Sequence, residues 1–346
     1  MTDKAKTPLE NITSKTSLPL IVGPMFLVSN EDLVLAACKE GIVGTFPAGS
    51  RWTSADFETF LKTVISELDD FKTKTGKTPA PYSINLSVKK KTPRLQADLD
   101  LCEKYKVPIV HASGGVTPEI VQKIHGYGGI IVQDAMTADE ARHAVAAGVD
   151  GIIAVASGAG GQAGTINPFV LLNEIRQFYD GLLVLAGSLS SGKDILAAQT
   201  LGADMVIMGT RFVATKESAA DPAYKQMIVD VKSSDIIYTS AISGVPGNFI
   251  RQSIEQSGYD AENLRKLGPG ADKIPTPPGQ EGRAWKYVWS AGQTVGTISD
   301  IPTTADLATR LKQEYADAKA EMANKLGFAA PAAAKPKPPS PKVPPP

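Results

Sequence analysis

Residues 182–212 constrain the fold of this chain most, because they read as two successive units of strand, glycine turn and helix. The two strands, Leu182–Ala186 and Asp204–Met208, are short and apolar, as is typical of strands that are buried on both faces. The first ends at Ala186-Gly187-Ser188 and the second at Gly209-Thr210, and each turn opens a helix. Adjacent glycine turns of this kind direct backbone N–H groups to one point, which predicts a phosphate-binding site.

Six more short apolar runs precede this stretch, and each is followed by a turn or loop. The predicted strands are Pro19–Gly23, Ile42–Thr45, Tyr82–Ser87, Val107–His111, Gly129–Gln133 and Gly151–Val155. Eight strands that alternate regularly with helices predict an α/β protein of the (β/α)8, or TIM-barrel, class. An open doubly wound sheet is the alternative, although such a sheet usually has fewer strands.

The pattern changes after Phe212, where a proline- and glycine-rich stretch interrupts the alternation. We expect residues 17–213 and 287–326 to form the barrel, and residues 214–286 to form a smaller helical lid inserted after the eighth strand. One long amphipathic helix, from Thr303 to about Leu326, is predicted to return to the barrel wall. Residues 329–346 have no apolar period, so a disordered or polyproline-like tail is expected there.

Charge and composition exclude several classes of function. Acidic and basic residues number 36 each, so no net charge favours nucleic acid or a membrane surface as a partner. The N-terminal residues lack the apolar core of a signal peptide, and no apolar run has the length of a membrane span. The two cysteines, Cys38 and Cys102, are expected to be buried reduced thiols. We therefore expect a cytoplasmic protein, monomeric or homodimeric, with a small-molecule substrate.

Functional residues of a (β/α)8 barrel lie at the carboxyl ends of its strands, and here those ends are mostly small, neutral or amide residues. No pair of carboxylates suits glycoside hydrolysis, and no cluster has the spacing of metal ligands. Glycines allow a planar cofactor to approach the backbone, while Asn and Gln side chains pair with ring nitrogen and oxygen atoms. Together with the phosphate site, this lining points to FMN, which would carry redox chemistry.

Several motifs at these strand ends resemble those of the nitronate monooxygenase (2-nitropropane dioxygenase) family. They are GPM, INL, QDA, GAGGQAG, LAGS and MGTRF, in chain order, with a late SAGQ. The resemblance covers roughly residues 17–325, and MGTRF joined to the preceding glycine turn is its most specific part. It implies an FMN-dependent oxidoreductase that oxidises anionic nitronates with O2, on a barrel with a helical substrate domain.

The resemblance also implies a role for individual residues in FMN binding. The residues that would lie against the isoalloxazine ring are Gly23, Pro24 and Met25, and those that would bond its polar edge are Asn85 and Gln133. The residues near the ring and the ribityl chain would be Gly160 and Gly161. The residues that would hold the phosphate are Ala186, Gly187, Ser188, Gly209 and Thr210.

One position departs from the family pattern. The loop after the sixth strand carries Gln162 where the family has a histidine that acts as catalytic base or substrate partner. An amide can donate a hydrogen bond but cannot accept a proton at neutral pH, so Gln162 suits an anionic nitronate and not a neutral nitroalkane. His111 is the one histidine predicted at the barrel mouth, and a catalytic role for it is as well supported as a structural one.

Two rival functions stay open on the sequence. The first is an NAD(P)H-dependent flavin reductase acting on a quinone or on an enoyl or CoA thioester. The chain lacks a G-x-G-x-x-G fingerprint, so a nicotinamide would have to bind over the flavin face. The second is a flavin-binding protein whose catalysis lapsed when the loop histidine became Gln162.

Overall fold

The computed structural model describes residues 7–278 and 284–328. Within them, eight parallel strands close into a barrel and helices cover its outer face, which confirms the predicted (β/α)8 class. The predicted tail at residues 329–346 lies outside the described residues, as does a short part of the predicted lid. No helix in the described part is long and apolar enough to cross a membrane.

Two sheets make up the strand content of the described residues. The barrel strands are β1 (Leu20–Val22), β2 (Val43–Pro47), β3 (Tyr82–Ser87), β4 (Ile109–Ser113), β5 (Ile130–Ala135), β6 (Gly151–Val155), β8 (Leu182–Ala186) and β9 (Met205–Met208). The strands of a second, antiparallel sheet are β7 (Gly161–Gln162), β10 (Ile236–Thr239) and β11 (Gly247–Ile250). The predicted barrel strands agree with the structure, except that β2, β4 and β5 each end two residues later than predicted.

Thirteen α-helices lie within the described residues. They are α1 (Pro8–Thr13), α2 (Glu31–Lys39), α3 (Ser54–Thr75), α4 (Pro93–Lys104), α5 (Pro118–Gly126), α6 (Ala138–Ala147), α7 (Pro168–Arg176), α8 (Gly192–Thr200), α9 (Thr210–Val213), α10 (Pro222–Asp230), α11 (Arg251–Gln256), α12 (Ala261–Leu267) and α13 (Thr304–Lys325). Local signals define many of their ends. The Asn30 side chain accepts the Leu33 N–H at the start of α2, and the left-handed Gly76 ends α3.

Side chains that alternate along the barrel strands build two separate cores. An inward cluster fills the barrel and includes Ile21, Val43, Ile109, Val132 and Ile153. A larger outer cluster lies between the strands and the surrounding helices. Helix α1 adds Ile12 to the inward cluster, so it closes the end of the barrel at which the strands begin. The opposite end is left for the glycine turns and for polar side chains.

The region predicted as a helical lid contains strands as well as helices. Besides α10, α11 and α12 it holds the hairpin β10–β11, and β11 pairs with β7 in the loop after β6. Its own apolar cluster surrounds Phe249 and Ile237. Backbone hydrogen bonds therefore join this region to the loop that covers the barrel mouth. The boundaries that we predict for the two parts of the chain stay a prediction.

The terminal helix returns to the barrel wall as predicted, since α13 packs against α8 and α2. Its contact with α8 is close at Gly192, whose N–H donates to Glu314 Oε2 at 2.8 Å. Cys38 and Cys102 are both buried and unpaired, also as predicted. Burial raises the pKa of the Cys38 thiol to about 12, which keeps it protonated and inert.

Candidate active site

The mouth of the barrel has two different linings. On the side of β2 to β5, the inward positions near the strand ends are polar, whereas β1, β6, β8 and β9 end in small residues and glycine turns. The polar inward residues are Thr45, Asn85, His111, Ser113 and Asp134. Their neighbours along the strands, such as Phe46, Ile84 and Val110, belong to the outer cluster, and alternation therefore turns the polar side chains inward.

One hydrogen-bond network links three neighbouring strands on the polar side. Asn85 Nδ2 donates to the His111 carbonyl at 3.1 Å and to Ser113 Oγ at 2.9 Å. Ser113 and the Gly114 N–H in turn hydrogen-bond the carboxylate of Asp134. The network fixes the Asp134 side chain at the mouth, next to the end of β4.

His111 lies in the middle of β4 and not at its end, so it is one layer deeper than predicted. Its side chain is buried, and its Nε2 atom lies 3.9 Å from Asp134 Oδ2 without a hydrogen-bond partner among the described residues. Burial lowers the pKa of His111 to about 4, so the imidazole is neutral at pH 7. His111 is therefore a weaker proton acceptor than an ordinary histidine, which weakens its predicted role as a base.

Asp134 is a polar residue at the mouth that is absent from the predicted site residues. The predicted strand ended at Gln133, but β5 continues to Ala135. Val132 belongs to the inward cluster, and Ile131 and Ala135 belong to the outer one, so alternation turns Asp134 inward. About a fifth of its side chain is exposed, at 21%. Burial raises the pKa of Asp134 to about 6, against the hydrogen bonds from Ser113 and Gly114 that lower it.

Gln133 faces the other way, which corrects its predicted place at the mouth. Its Oε1 atom accepts the N–H of Val116 at 2.7 Å on the outer face of the barrel, and the side chain is buried there. The structure therefore does not bring Gln133 to the predicted cofactor site. Asn85, by contrast, stands on the inward face where the sequence analysis placed it.

The glycine side contains one tight turn and one open turn. Gly187 and Ser188 are both left-handed, with φ of 108° and 61°, and Ser188 Oγ donates to the Ser157 carbonyl. A Cβ on Gly187 would lie 3.0 Å from the Ala156 carbonyl oxygen, so this turn packs on the loop after β6. The turn at Gly209 is open. Apart from the residues next to it in the chain, a Cβ on Gly209 would have one described residue within 4 Å, namely Met25, whose Sδ would lie 3.7 Å away.

The remaining predicted residues of this side lie around Gly209. The Cβ of a side chain at Gly23 would lie 3.4 Å from Gly209 Cα, so the turns after β1 and β9 meet. Pro24 and Met25 follow Gly23 and are partly buried, and Met25 packs both on the outer cluster and on a further apolar cluster that includes Tyr224 and Ile250. Ala186 closes β8 as part of the inward cluster.

The loop after β6 packs against the late S-A-G-Q motif. Thr210 Oγ1 accepts the Gly292 N–H at 2.9 Å, and a Cβ on Gly160 would lie 2.9 Å from both of these atoms. Ser290 Oγ accepts the Gly161 N–H at 2.6 Å. Glycine is required where these backbones touch, which explains the density of glycine in both motifs.

Gln162 lies on β7, opposite Gly247 in the second sheet, and its side chain is exposed. The side chain makes no hydrogen bond to another described residue. The structure thus places Gln162 on the cover of the mouth and outside the polar network of Asn85, Ser113 and Asp134.

The side-chain charges near the open turn balance one another. Arg211 is buried two residues after Gly209, and its Nη2 donates to Asp300 Oδ1 at 3.0 Å. Arg310 also bonds Asp300, and Glu314 lies close enough to raise the pKa of Arg310. Two cations therefore face two carboxylates. An anion at this turn would be held by backbone N–H groups and not by a net positive charge.

These residues fit a flavin mononucleotide in two respects. Thr45 Oγ1 and His111 Nε2 are buried polar atoms of the inward face that have no partner among residues 7–278 and 284–328, and such atoms usually pair with a bound group or water. The open turn at Gly209 leaves room for a phosphate beside Met25. Within the described residues, no cluster of His, Cys, Asp and Glu is arranged to hold a metal ion.

Two solved structures resemble this fold over nearly its whole length. FabK from Thermotoga maritima superposes with a TM-score of 0.74 at 23% identity, and the match covers 93% of this chain and 100% of that one. Nitroalkane oxidase from Streptomyces ansochromogenes superposes with a TM-score of 0.73 at 24% identity, with 90% and 99% of the two chains covered. At these identities the likeness establishes the fold alone.

Three relatives are similar in sequence. A probable nitronate monooxygenase of Staphylococcus haemolyticus is 31% identical over 54% of this chain, and the match spans only 57% of that protein. The nitronate monooxygenase of Neurospora crassa is 24% identical, with 90% of this chain and 92% of that protein covered. A 5-hydroxy-7a-methyl-1-oxo-octahydro-1H-indene-4-carboxyl-CoA dehydrogenase of Rhodococcus jostii is 24% identical over 83% of this chain and 80% of that protein.

A family model covers six of the eight barrel strands, the region after β9 and the first half of α13. The model described as nitronate monooxygenase matches residues 54–314, which include the polar network, the loop after β6 and both glycine turns. The resemblance that the motifs implied is confirmed by this match. The chain belongs to the nitronate monooxygenase family.

Proposed function

We propose that this protein is an FMN-dependent oxidoreductase that oxidises anionic nitronates with O2. The observation that carries the proposal is the meeting of a polar network and two glycine turns at one end of the barrel, in a chain of the nitronate monooxygenase family. When bound there, FMN would take electrons from the substrate and pass them to O2. The protein would contribute binding, orientation and electrostatics.

The two linings of the mouth suggest how FMN would be held. Gly209, with Gly187 and Ser188, would give backbone N–H groups to the phosphate. Gly23 and Met25 border the open turn and would contact the ring. The ring would then extend over the polar side, where Asn85 is inward and Gln133 is not. On this side the ring would meet the Asn85 amide and the hydroxyls of Thr45 and Ser113, which can serve as donors or acceptors, together with the carboxylate of Asp134.

The absence of a basic side chain at residue 162 favours a substrate that arrives already deprotonated. A nitronate carries no proton to be removed from carbon, so Gln162 would need only to donate a hydrogen bond or to stay out of the way. The neutral imidazole of His111 adds no positive charge to the mouth. Selectivity for anions would then rest on N–H donors.

The rival enzyme reading, an NAD(P)H-dependent reductase of an enoyl or CoA thioester, has support of its own. The Rhodococcus jostii relative acts on a CoA thioester by its name, and its match covers more of both chains than the match to the Staphylococcus protein does. An enoyl reductase domain from Bacillus amyloliquefaciens shares the fold, with a TM-score of 0.65 at 13% identity. This alternative predicts reduction of the flavin by a nicotinamide before any other substrate is added.

Anaerobic reduction of the bound flavin separates these functions. The purified protein is expected to be yellow, and its flavin should bleach on mixing with propyl-2-nitronate but not with NADH or NADPH alone. Bleaching by NAD(P)H and not by nitronates would contradict the proposal and favour the reductase. A bound flavin that neither reagent reduces would favour the non-catalytic alternative. A protein that binds no flavin would contradict all three.

The replacement Gln162→His tests the role of the loop residue. We expect it to raise the rate of 2-nitropropane oxidation above that of wild type, with a gain that grows with pH through the histidine pKa of ~6.5, because an imidazole there can accept a proton. Initial rates of O2 consumption between pH 5.5 and 8.5 would measure the gain. Gln162→Ala is the matched control and should show no gain. If Gln162→Ala abolished nitronate oxidation, the Gln162 amide would be required for the reaction, which contradicts the minor role proposed for it.

A further inference from the structure

We propose that Asp134 is a catalytic base of this protein and removes the carbon-bound proton from neutral nitroalkanes. The inference rests on the proposed function, because the nitronate formed in this way is the substrate of the oxidation described above. Asp134 would do from β5 what the family's histidine does from the loop that carries Gln162. The substrate class would then include neutral nitroalkanes as well as their anions.

The position of Asp134 suits a group that touches substrate. Its side chain faces into the barrel at the mouth, and 21% of its surface is exposed there, so a ligand can reach it. Ser113 and the Gly114 N–H hold the carboxylate, and Asn85 holds Ser113 in turn. A catalytic group needs a fixed orientation of this kind, since proton transfer depends on the distance and angle to the C–H bond.

A second polar atom points to a ligand beside Asp134. His111 Nε2 lies 3.9 Å from Asp134 Oδ2, is enclosed and has no hydrogen-bond partner in the part of the chain that the structure describes. Buried polar atoms without partners are rare in folded proteins. A nitroalkane that contacts the exposed part of Asp134 would lie over this enclosed imidazole, which is placed to orient the carboxylate from below. His111 is therefore a positioning residue in this proposal and not the base.

The charges around Asp134 leave its carboxylate basic. The titratable groups that face it are His111 on β4, which is neutral, and Glu140 on α6, whose charge raises the pKa of Asp134 further. Its partner in register on β6 is Ile153, which does not titrate. With a pKa of about 6, the carboxylate is ionised at pH 7 and yet accepts a proton more readily than an ordinary aspartate.

The proposed step is a single proton transfer. The bond between the α-carbon and its hydrogen breaks, and the proton moves to an Oδ atom of Asp134. The electron pair of that bond stays with the substrate and is delocalised onto the nitro group, which yields the nitronate anion. No oxidant or further reactant enters this step. The protonated Asp134 then faces an anion, and this arrangement is favourable because the neutral acid can donate a hydrogen bond to it.

Hydrogen exchange measures this step apart from oxidation. The flavin-loaded protein is incubated with nitroethane in D2O without O2, and loss of the α-proton signal is followed by proton NMR. Wild type should exchange the α-hydrogens faster than buffer, and Asp134→Asn should lower the enzyme-dependent rate by at least about 100-fold. The wild-type rate should rise with pH through about 6. Asp139→Asn, which removes an exposed carboxylate at the start of α6, is the matched control and should behave as wild type.

Two further readouts separate catalysis from damage to the fold. Asp134→Asn should still oxidise ethylnitronate. In wild type the KM for this anion should rise above pH 6, because the ionised Asp134 repels it, whereas in Asp134→Asn the KM should not change with pH over this range. The variant should also melt at a higher temperature than wild type at pH 7. Its advantage should shrink as the pH falls from 6 towards 4, because the buried charge that it removes is then protonated in wild type too.

Wild-type exchange rates in a folded Asp134→Asn protein would overturn the proposal, as would a wild type that exchanges no faster than buffer. The proposed function fails separately, if wild type exchanges nitroethane protons but oxidises no nitronate. In that case the assignment of the base would stand and the oxidation would need another acceptor.

Discussion

Gly209→Val is expected to give a folded protein that purifies without flavin. Among the described residues beyond its chain neighbours, a Cβ at this position meets Met25 alone, at ordinary contact distances of 3.7 and 3.8 Å, and the backbone φ of −100° suits any residue. The valine therefore does not disturb the fold, but its methyl groups extend into the space where the phosphate is proposed to bind. Flavin absorbance per protein chain and the melting temperature would be measured together. Retention of one FMN per chain would show that the phosphate lies elsewhere.

The choice of Gly209 over Gly187 matters for this experiment. Gly187 has a φ of 108° and a Cβ there would press on the loop after β6, so a valine would strain the fold and its loss of flavin would have two explanations. Gly126→Val is a suitable control, because Gly126 ends α5 on the surface and a Cβ there meets nothing within 4 Å among the described residues. That variant should keep its flavin.

Gly192→Ala is expected to destabilise the whole fold, by at least about 3 kcal/mol in the free energy of unfolding. An alanine Cβ at Gly192 would overlap the backbone of α13 at Leu311 and Tyr315. Because the overlapping atoms are main-chain atoms, no side-chain rotation relieves the clash. The two helices would have to separate, and the hydrogen bond from the Gly192 N–H to Glu314 would be lost with them.

Denaturant unfolding of Gly192→Ala, wild type and Gly126→Ala would check this expectation. The control changes the same residue type in another helix, but there the alanine is unopposed and should raise stability by about 0.5–1 kcal/mol through its higher helix propensity. The two substitutions are thus expected to have opposite signs. A Gly192→Ala protein as stable as wild type would mean that α8 and α13 are not packed at this distance.

The barrel itself could be predicted because its signals are local. Apolar runs such as Leu182–Ala186 and Gly151–Val155 have the composition of strands buried on both faces, and their bounds agree with the structure. Helix ends also depend on neighbouring residues, as at Asn30 and Gly76. The pairing of β7 with the hairpin β10–β11 went unrecognised, since β7 comes more than seventy residues earlier in the chain. Pairing over such a distance leaves no local pattern.

The sequence by itself determined the fold class, the glycine turns and the departure at Gln162, because each depends on residue type and short spacing. Only the tertiary structure decided which polar side chains face the mouth. Strand β4 ends two residues later than predicted, so His111 still faces inward but lies one layer deeper in the barrel. On β5, the face of each side chain depends on the register with β4, where His111 pairs with Val132 and Ala112 with Gln133. That register turns Gln133 outward and Asp134 inward, because successive side chains on a strand point to opposite faces.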